Sequence, residues 1–262
     1  MAEKIIHLPT RRRMKAGLGS RAEKDFIQLG FPALDVTVWD DDFMGDQVRY
    51  DATAPGTYQS TASGTGSATA ALVTGPVHGV IRLDPGTADD GRSDLSLGLH
   101  FRGDRNVVCW WRVSLPAAIG SMKFELGLTD VVSGTDAGAI NVKATPSYTA
   151  TDAVVLCLDT DDDTNLTLLG VAAGTGATAI DFNTTLAVST DYYMGIALEN
   201  GVAKGYLLDE DGGLIEQTAS RMASAVTATT LLTPWAFVQN RSGSQRILDI
   251  DRLTVYQRRT TT

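Results

Sequence analysis

From Asp35 onward the chain is cut into short apolar or alternating segments, each bounded by Gly, Asp, Asn or Pro. That punctuation suits strands and leaves almost no room for helices. A strand sends successive side chains to opposite faces, whereas an amphipathic helix needs apolar residues every three to four positions over ten or more residues. Asp35–Trp39 alternates, with Asp40-Asp41-Asp42 read as a polar turn, and residues 51–70 form a long loop rich in Ala, Thr, Ser and Gly. Val77–Leu83 reads as a strand closed by Asp84-Pro85-Gly86. Leu95, Leu97 and Leu99 share one face of the next, opposite Ser96, Gly98 and His100. In Asn106–Leu115 the residues Val107, Cys109, Trp111 and Val113 face one way, and Val108, Trp110 and Arg112 the other.

The series continues through Met122–Thr129, where Phe124, Leu126 and Leu128 align, and through Ala153–Leu158, Leu166–Val171 and Ile180–Phe182. It ends with Tyr192–Glu199, Val202–Leu208, Trp235–Gln239 and Ile247–Tyr256, the last with irregular alternation. Asn200-Gly201 between two such runs is the strongest hairpin signal in the chain, and Asp211-Gly212-Gly213 marks another turn. Only Arg221–Ala228 and Ala117–Ser121 have room for a helical turn or two. Many short strands at near-regular spacing, with no repeat and no dividing linker, predict an all-β protein. Its expected form is a two-sheet antiparallel sandwich occupying residues 35–262 as one domain.

Residues 1–34 differ in kind. Within residues 1–24, seven basic residues face only Glu3 and Glu23, a local charge of +5, so the rest of this chain of net charge −9 carries −14. The segment lacks periodicity and contains Pro9, Gly17, Gly19, Gly30 and Pro32, so it reads as an extended arm that needs a partner to order it. Arg11, Arg12, Arg13 and Lys15 form its cationic cluster, while Ile5, Ile6, Leu8, Phe26 and Ile27 are too apolar for a plain solvated tail. The acidic body would repel phosphate, which argues against nucleic acid and for protein docking. No apolar run approaches the roughly 20 residues of a spanning helix, and the charged N-terminus has no apolar core of a secretory signal. Cys109 and Cys157 each sit in an apolar run and read as two buried thiols.

Candidates for chemistry are few. Asp159, Asp161, Asp163 and Asn165 repeat oxygen ligands at alternate positions, as calcium loops do. However, Thr164 and Gly170 occupy the places where an EF-hand needs Gly and Glu, so the competing reading is an acidic hairpin turn. Asp40–Asp42 and Asp89-Asp90 read as solvated turns. His7, His78 and His100 are scattered, and no zinc, nucleophile-elbow or phosphate-loop motif occurs. Asp249 and Asp251 form an acid pair of the kind glycosidases use, with Arg246 or Arg252 as alternative ion-pair partners. Trp39, Trp110, Trp111 and Trp235 have the chemistry of sugar-stacking platforms but lie in apolar runs, which favours core packing.

Several stretches together resemble phage virion proteins with a concanavalin-A-like (laminin-G-like) jelly roll. They are Trp39-Asp40-Asp41-Asp42-Phe43, Gly79–Leu83 with the Gly86 turn, Asn106–Val113, Phe124–Asp130, Leu231–Pro234 and Leu248–Val255. The resemblance spans about 35–256 and implies a jelly roll with no cofactor, calcium apart, and no enzymatic activity. It also implies a place on the surface of a virion assembled in the bacterial host cytoplasm. The leading expectation is a capsid decoration protein whose arm docks on the major capsid protein or other virion proteins. Self-association, with a trimer on a three-fold axis, follows from the same analogy. The alternatives are a tail or fibre component binding host carbohydrate and, third, a polysaccharide-degrading enzyme. No membrane partner is expected.

Overall fold

A computed structural model describes residues 36–43, 58–63, 68–73, 79–132, 138–144 and 147–259. The arm with its docking candidates Arg11, Arg12, Arg13, Lys15, Ile5, Ile6, Leu8, Phe26 and Ile27 lies outside the described residues, as do His7 and His78.

The described strands begin with β1 (Val36–Asp41), β2 (Ala62–Ser63), β3 (Thr69–Leu72), β4 (Ile81–Asp84), β5 (Arg92–Ser96) and β6 (Phe101–Arg102). A single 3-10 turn, Gly103–Arg105, precedes β7 (Val107–Ser114), β8 (Met122–Thr129), β9 (Ile140–Val142) and β10 (Ser147–Tyr148). Next come β11 (Ala153–Asp159), β12 (Asn165–Ala172), β13 (Thr175–Gly176), β14 (Ile180–Thr185) and β15 (Asp191–Glu199). The last are β16 (Val202–Leu208), β17 (Leu214–Gln217), β18 (Leu231–Asn240) and β19 (Leu248–Arg258).

Two antiparallel sheets form a sandwich. The first runs β17-β16-β15-β7-β19-β4-β3, with β1 also paired to β19. The second runs β13-β12-β11-β8-β18-β5-β2, with β14 on β12 and β6 on β18. The central strands β7, β19, β8 and β18 come from distant parts of the chain, so the sheets close only when both halves have met.

Alternation decides what fills the space between the sheets. Val107, Cys109, Trp111 and Val113 of β7 face Phe124, Leu126 and Leu128 of β8 across the main core. Val108 and Trp110 turn to the outer face, where they join Tyr206, Leu208 and Tyr256. The irregular pattern of β19 has a cause: its register on β7 shifts between Ile250 and Arg252. That bulge inserts one residue, so Leu248 and Ile250 before it and Leu253 and Val255 after it all reach the core. Asn200 and Gly201 have φ of 48° and 77°, the two positive angles of the tight turn that joins β15 to β16. Asp209 accepts hydrogen bonds from the amides of Asp211 and Gly213 and so shapes the β16–β17 turn.

Several expectations need correction. Strand β5 stops at Ser96, and Leu99 is 40% exposed instead of sharing the Leu95–Leu97 face. Arg221–Ala228 and Ala117–Ser121 form turns, because Met222, Ala225 and Val226 are drawn individually into the core and Met222 bridges to Ala203. Asp40 and Asp41 are not turn residues: β1 continues through them against Thr254 and Leu253 of β19. Strand β4 starts at Ile81, later than the Val77 expected.

Candidate functional site

The outer face of the first sheet brings together aromatic side chains and a row of arginine–aspartate pairs. Strand register puts Trp110 opposite Gly195, with Arg112 opposite Tyr193 on one side and Arg252 on the other. Gly195 has a steric reason: a Cβ there would meet the Trp110 ring at 2.2 Å. The ring lies across the glycine and tilts against Tyr206, with centroids 5.8 Å apart.

Beside these aromatics runs a ladder of ion pairs. Arg82 makes a bidentate pair with Asp249 at 2.8 and 2.7 Å. Arg112 bridges Asp251 and Asp191, the latter at 3.1 Å, and stands over the Tyr193 ring at 5.7 Å. Arg252 grips Asp40, which also accepts from the Thr254 hydroxyl at 2.9 Å. Burial pushes the Tyr193 phenol up, against the pull of Arg112 and Arg252. Asp249 and Asp251 are thus neutralised by Arg82 and Arg112, not by Arg246 or Arg252 as expected from adjacency. Acid and base chemistry needs a carboxylate free to exchange a proton with a ligand, whereas these are held by guanidinium groups.

The outer face of the second sheet holds a feature that sequence reading missed. Lys123 and Glu125 of β8, both fully buried, pair at 3.0 Å. Glu125 also accepts the amides of Ala139 and Ile140 at 2.8 and 3.1 Å and the Trp235 indole N–H at 3.0 Å. Lys123 donates to the Ile140 carbonyl and lies 5.4 Å from the Phe237 ring centroid. The segment entering the β9–β10 hairpin caps the pair, so a lysine ammonium sits in a shell built from a carboxylate, a carbonyl and an aromatic face. The alternation Lys-Phe-Glu-Leu placed these charges opposite the core. It carried no sign that a hairpin would cover that second face.

The acidic run Asp159–Asn165 forms the hairpin turn between β11 and β12, with the amides of Asp162 and Asp163 closing onto the Asp159 carbonyl. Asp159 is buried in a bidentate pair with Arg241, and Asp163 pairs with Lys143, which also donates to the Asn165 carbonyl at 2.9 Å. Burial would push the Asp163 carboxyl up, but Lys143 and the Asn165 amide outweigh it and hold the carboxyl below its usual range. The Asp159, Asp161, Asp163 and Asn165 set therefore does not fit a calcium ion as folded, since two basic side chains occupy its best carboxylates. Among the described residues no group of three or more His, Cys, Asp or Glu converges as a metal site.

The remaining candidates are structural. Trp111 and Trp235 are fully buried, and Trp39 packs on the core while donating to the Tyr58 hydroxyl at 3.0 Å. Tyr58 donates in turn to Asp41, so that carboxylate holds the β1 end in place. Cys109 and Cys157 are free, buried thiols whose burial pushes their pKa far up, away from nucleophilic thiolate chemistry.

No family model matches the chain, and no curated protein sequence matches it. Solved structures do. A protein of unknown function from Shewanella oneidensis MR-1 matches at TM-score 0.60 and 15% identity, over 94% of this chain and 97% of its own. The fold is the concanavalin-A-like jelly roll. Peanut lectin matches at TM-score 0.58 and 8% identity, over 87% of this chain and 99% of its own. The carbohydrate recognition domain of Emp47p matches at 0.54 and 13%, over 88% and 100%. The VIP36 exoplasmic/lumenal domain, in a form bound to Ca2+ and mannose, matches at 0.56 and 11%, over 86% and 91%. At these identities the likeness is one of fold.

Proposed function

We propose that this chain is a non-catalytic binding and assembly module, and specifically a decoration protein of a bacteriophage shell. The observation that carries the non-catalytic part is the employment of the carboxylates. On the outer face of the first sheet, Asp40, Asp191, Asp249 and Asp251 are all engaged by arginines, and Glu125 is enclosed with Lys123. Trp110, Trp111 and Trp235 are buried in packing, and Trp39 is partly buried against the core. The charge division supports the assembly part: an arm of +5 in residues 1–24 precedes a body of −14. Arg11–Arg13 and Lys15 dock on acidic patches of the major capsid protein, and Ile5, Ile6 and Leu8 supply apolar anchors. Repetition around a symmetric shell multiplies these weak contacts into stable attachment. The test is co-sedimentation with shells and electron cryo-microscopy. A chain lacking residues 1–24 is expected to stay folded and fail to join particles, and normal incorporation would reject the docking role.

A carbohydrate-binding role is the second reading, favoured by the named activity of the Emp47p and VIP36 domains that share the fold. Binding of the full chain to a glycan array, insensitive to loss of residues 1–24, would select it over shell docking.

A further inference from the structure

The acidic turn between β11 and β12 contains a cation that belongs to the chain. Arg241 follows the last residue of β18, and its side chain, 13% exposed, enters a group of three carboxylates. Its Nε donates to Asp159 at 2.9 Å, and its Nη2 holds the other oxygen of that buried carboxylate. Nε also lies 3.7 Å from Asp161, and Nη1 lies 3.9 Å from Asp90. The acids come from separate segments: Asp159 ends β11, Asp161 lies in the turn after it, and Asp90 stands just before β5. The Arg241 amide donates to the Ser121 carbonyl, so the residue is fixed through its backbone as well.

A buried oxygen beside these acids is unused. The Gln239 residue is 3% exposed, and its Nε2 donates to Asp90 at 3.1 Å. Its Oε1 has no hydrogen-bond partner among the described residues. Carboxylates from different segments, joined by a neutral amide oxygen, are the ligand chemistry of a hard divalent cation. A guanidinium group stands among them instead. It takes both oxygens of Asp159, and an entering cation would meet a positive charge at contact distance.

We propose that Arg241 is a tethered substitute for a metal ion. It gathers and neutralises Asp90, Asp159 and Asp161 where a divalent cation would otherwise sit, and its removal uncovers a latent calcium site. The inference goes beyond the shell-docking and carbohydrate readings and depends on neither. A cation carried by the chain loses no translational freedom on binding, and its occupancy varies neither with metal concentration nor with a chelator. No other described ion pair offsets these three acids. Without Arg241 their mutual repulsion is unrelieved, and a free dication relieves it.

Calcium chloride titrated into the full chain, followed by calorimetry and by melting with and without EDTA, tests this. The wild-type chain is expected to give no saturable heat and no calcium-dependent rise in melting temperature. Arg241→Ala is expected to melt lower in EDTA and to recover most of that loss in calcium, with a saturable heat. Adding Asp161→Asn to that variant should weaken the calcium response about tenfold, because ligand charge tunes the affinity of such sites. Saturable calcium binding by the wild-type chain that Asp161→Asn weakens overturns the proposal, since the guanidinium would then not exclude the ion. A folded Arg241→Ala chain indifferent to calcium overturns it as well. If Arg241→Ala does not fold in EDTA, it is refolded in calcium, and recovery there supports the latent site. Should it fail in both, Arg241→Gln, which keeps a packing stem without the charge, is read by the same criterion.

Discussion

The two outer faces of the sandwich treat charge in opposite ways. On the second sheet Lys123 and Glu125 are removed from water altogether: two amides, an indole N–H and the ammonium answer the carboxylate, and a carbonyl and an aromatic face answer the ammonium. On the first sheet the ladder pairs Arg82–Asp249, Arg112–Asp251 and Arg252–Asp40 keep side-chain exposures between 16 and 41%. Desolvation makes the difference. A buried ion is costly unless all its bonds are satisfied, so losing one partner is severe, while a hydrated pair exchanges readily with water and contributes little. One face is therefore locked by its charges and the other merely decorated with them.

Removing one half of the buried pair should have the largest effect. Glu125→Ala leaves the Lys123 ammonium without its carboxylate and the Ala139, Ile140 and Trp235 donors without an acceptor. The expected loss is about 3–5 kcal/mol in urea unfolding. The double variant Lys123→Met, Glu125→Gln should recover much of that loss, because a neutral amide can still accept from the hairpin. A loss below about 1 kcal/mol for Glu125→Ala would erase the contrast between the faces.

Next in size is Gly195→Ala on the ladder face. Its methyl must displace the Trp110 ring, for an expected cost of about 1–3 kcal/mol and a change in tryptophan emission. Asp251→Asn should cost under about 1 kcal/mol, since Arg112 keeps Asp191, and the cost should shrink further in high salt. A larger, salt-insensitive cost would mean the ladder is as desolvated as the Lys123 site.

The smallest effect concerns a half-buried carboxylate that faces another acid. Burial, with Asp152 adding to it, pushes the Asp130 carboxyl up. The fold thus favours its protonated form: that contribution is present below the ordinary carboxylate pKa and is lost as pH rises through the raised folded value. Asp130→Asn should accordingly raise the melting temperature at pH 7 and leave it nearly unchanged at pH 3. An equal shift at both values would show that the charge of Asp130 is not responsible.

Much of the fold was legible because alternation and turn chemistry act locally. The Val202–Leu208 strand, the Asn200-Gly201 turn and the opposed faces of Trp110 and Trp111 needed only neighbouring residues to specify them. Asp249 and Asp251 were legible as acids but not in their partners. Arg82 and Arg112 lie 167 and 139 residues away, and only sheet closure brings them near. The same holds for Asp159 and Arg241, 82 residues apart, whose pairing turns an apparent cation loop into a structural turn.

By itself the sequence determined an all-β sandwich, the inward face of each main strand, two buried thiols and a basic segment ahead of an acidic body. Strand periodicity, turn residues and net charge are properties of adjacent or summed residues, so no partner is needed to read them. Only the tertiary structure decided which charges are buried, which acids meet which bases, and which outer face each hairpin covers. Those outcomes depend on contacts between segments a hundred or more residues apart, and on how much water remains where they meet.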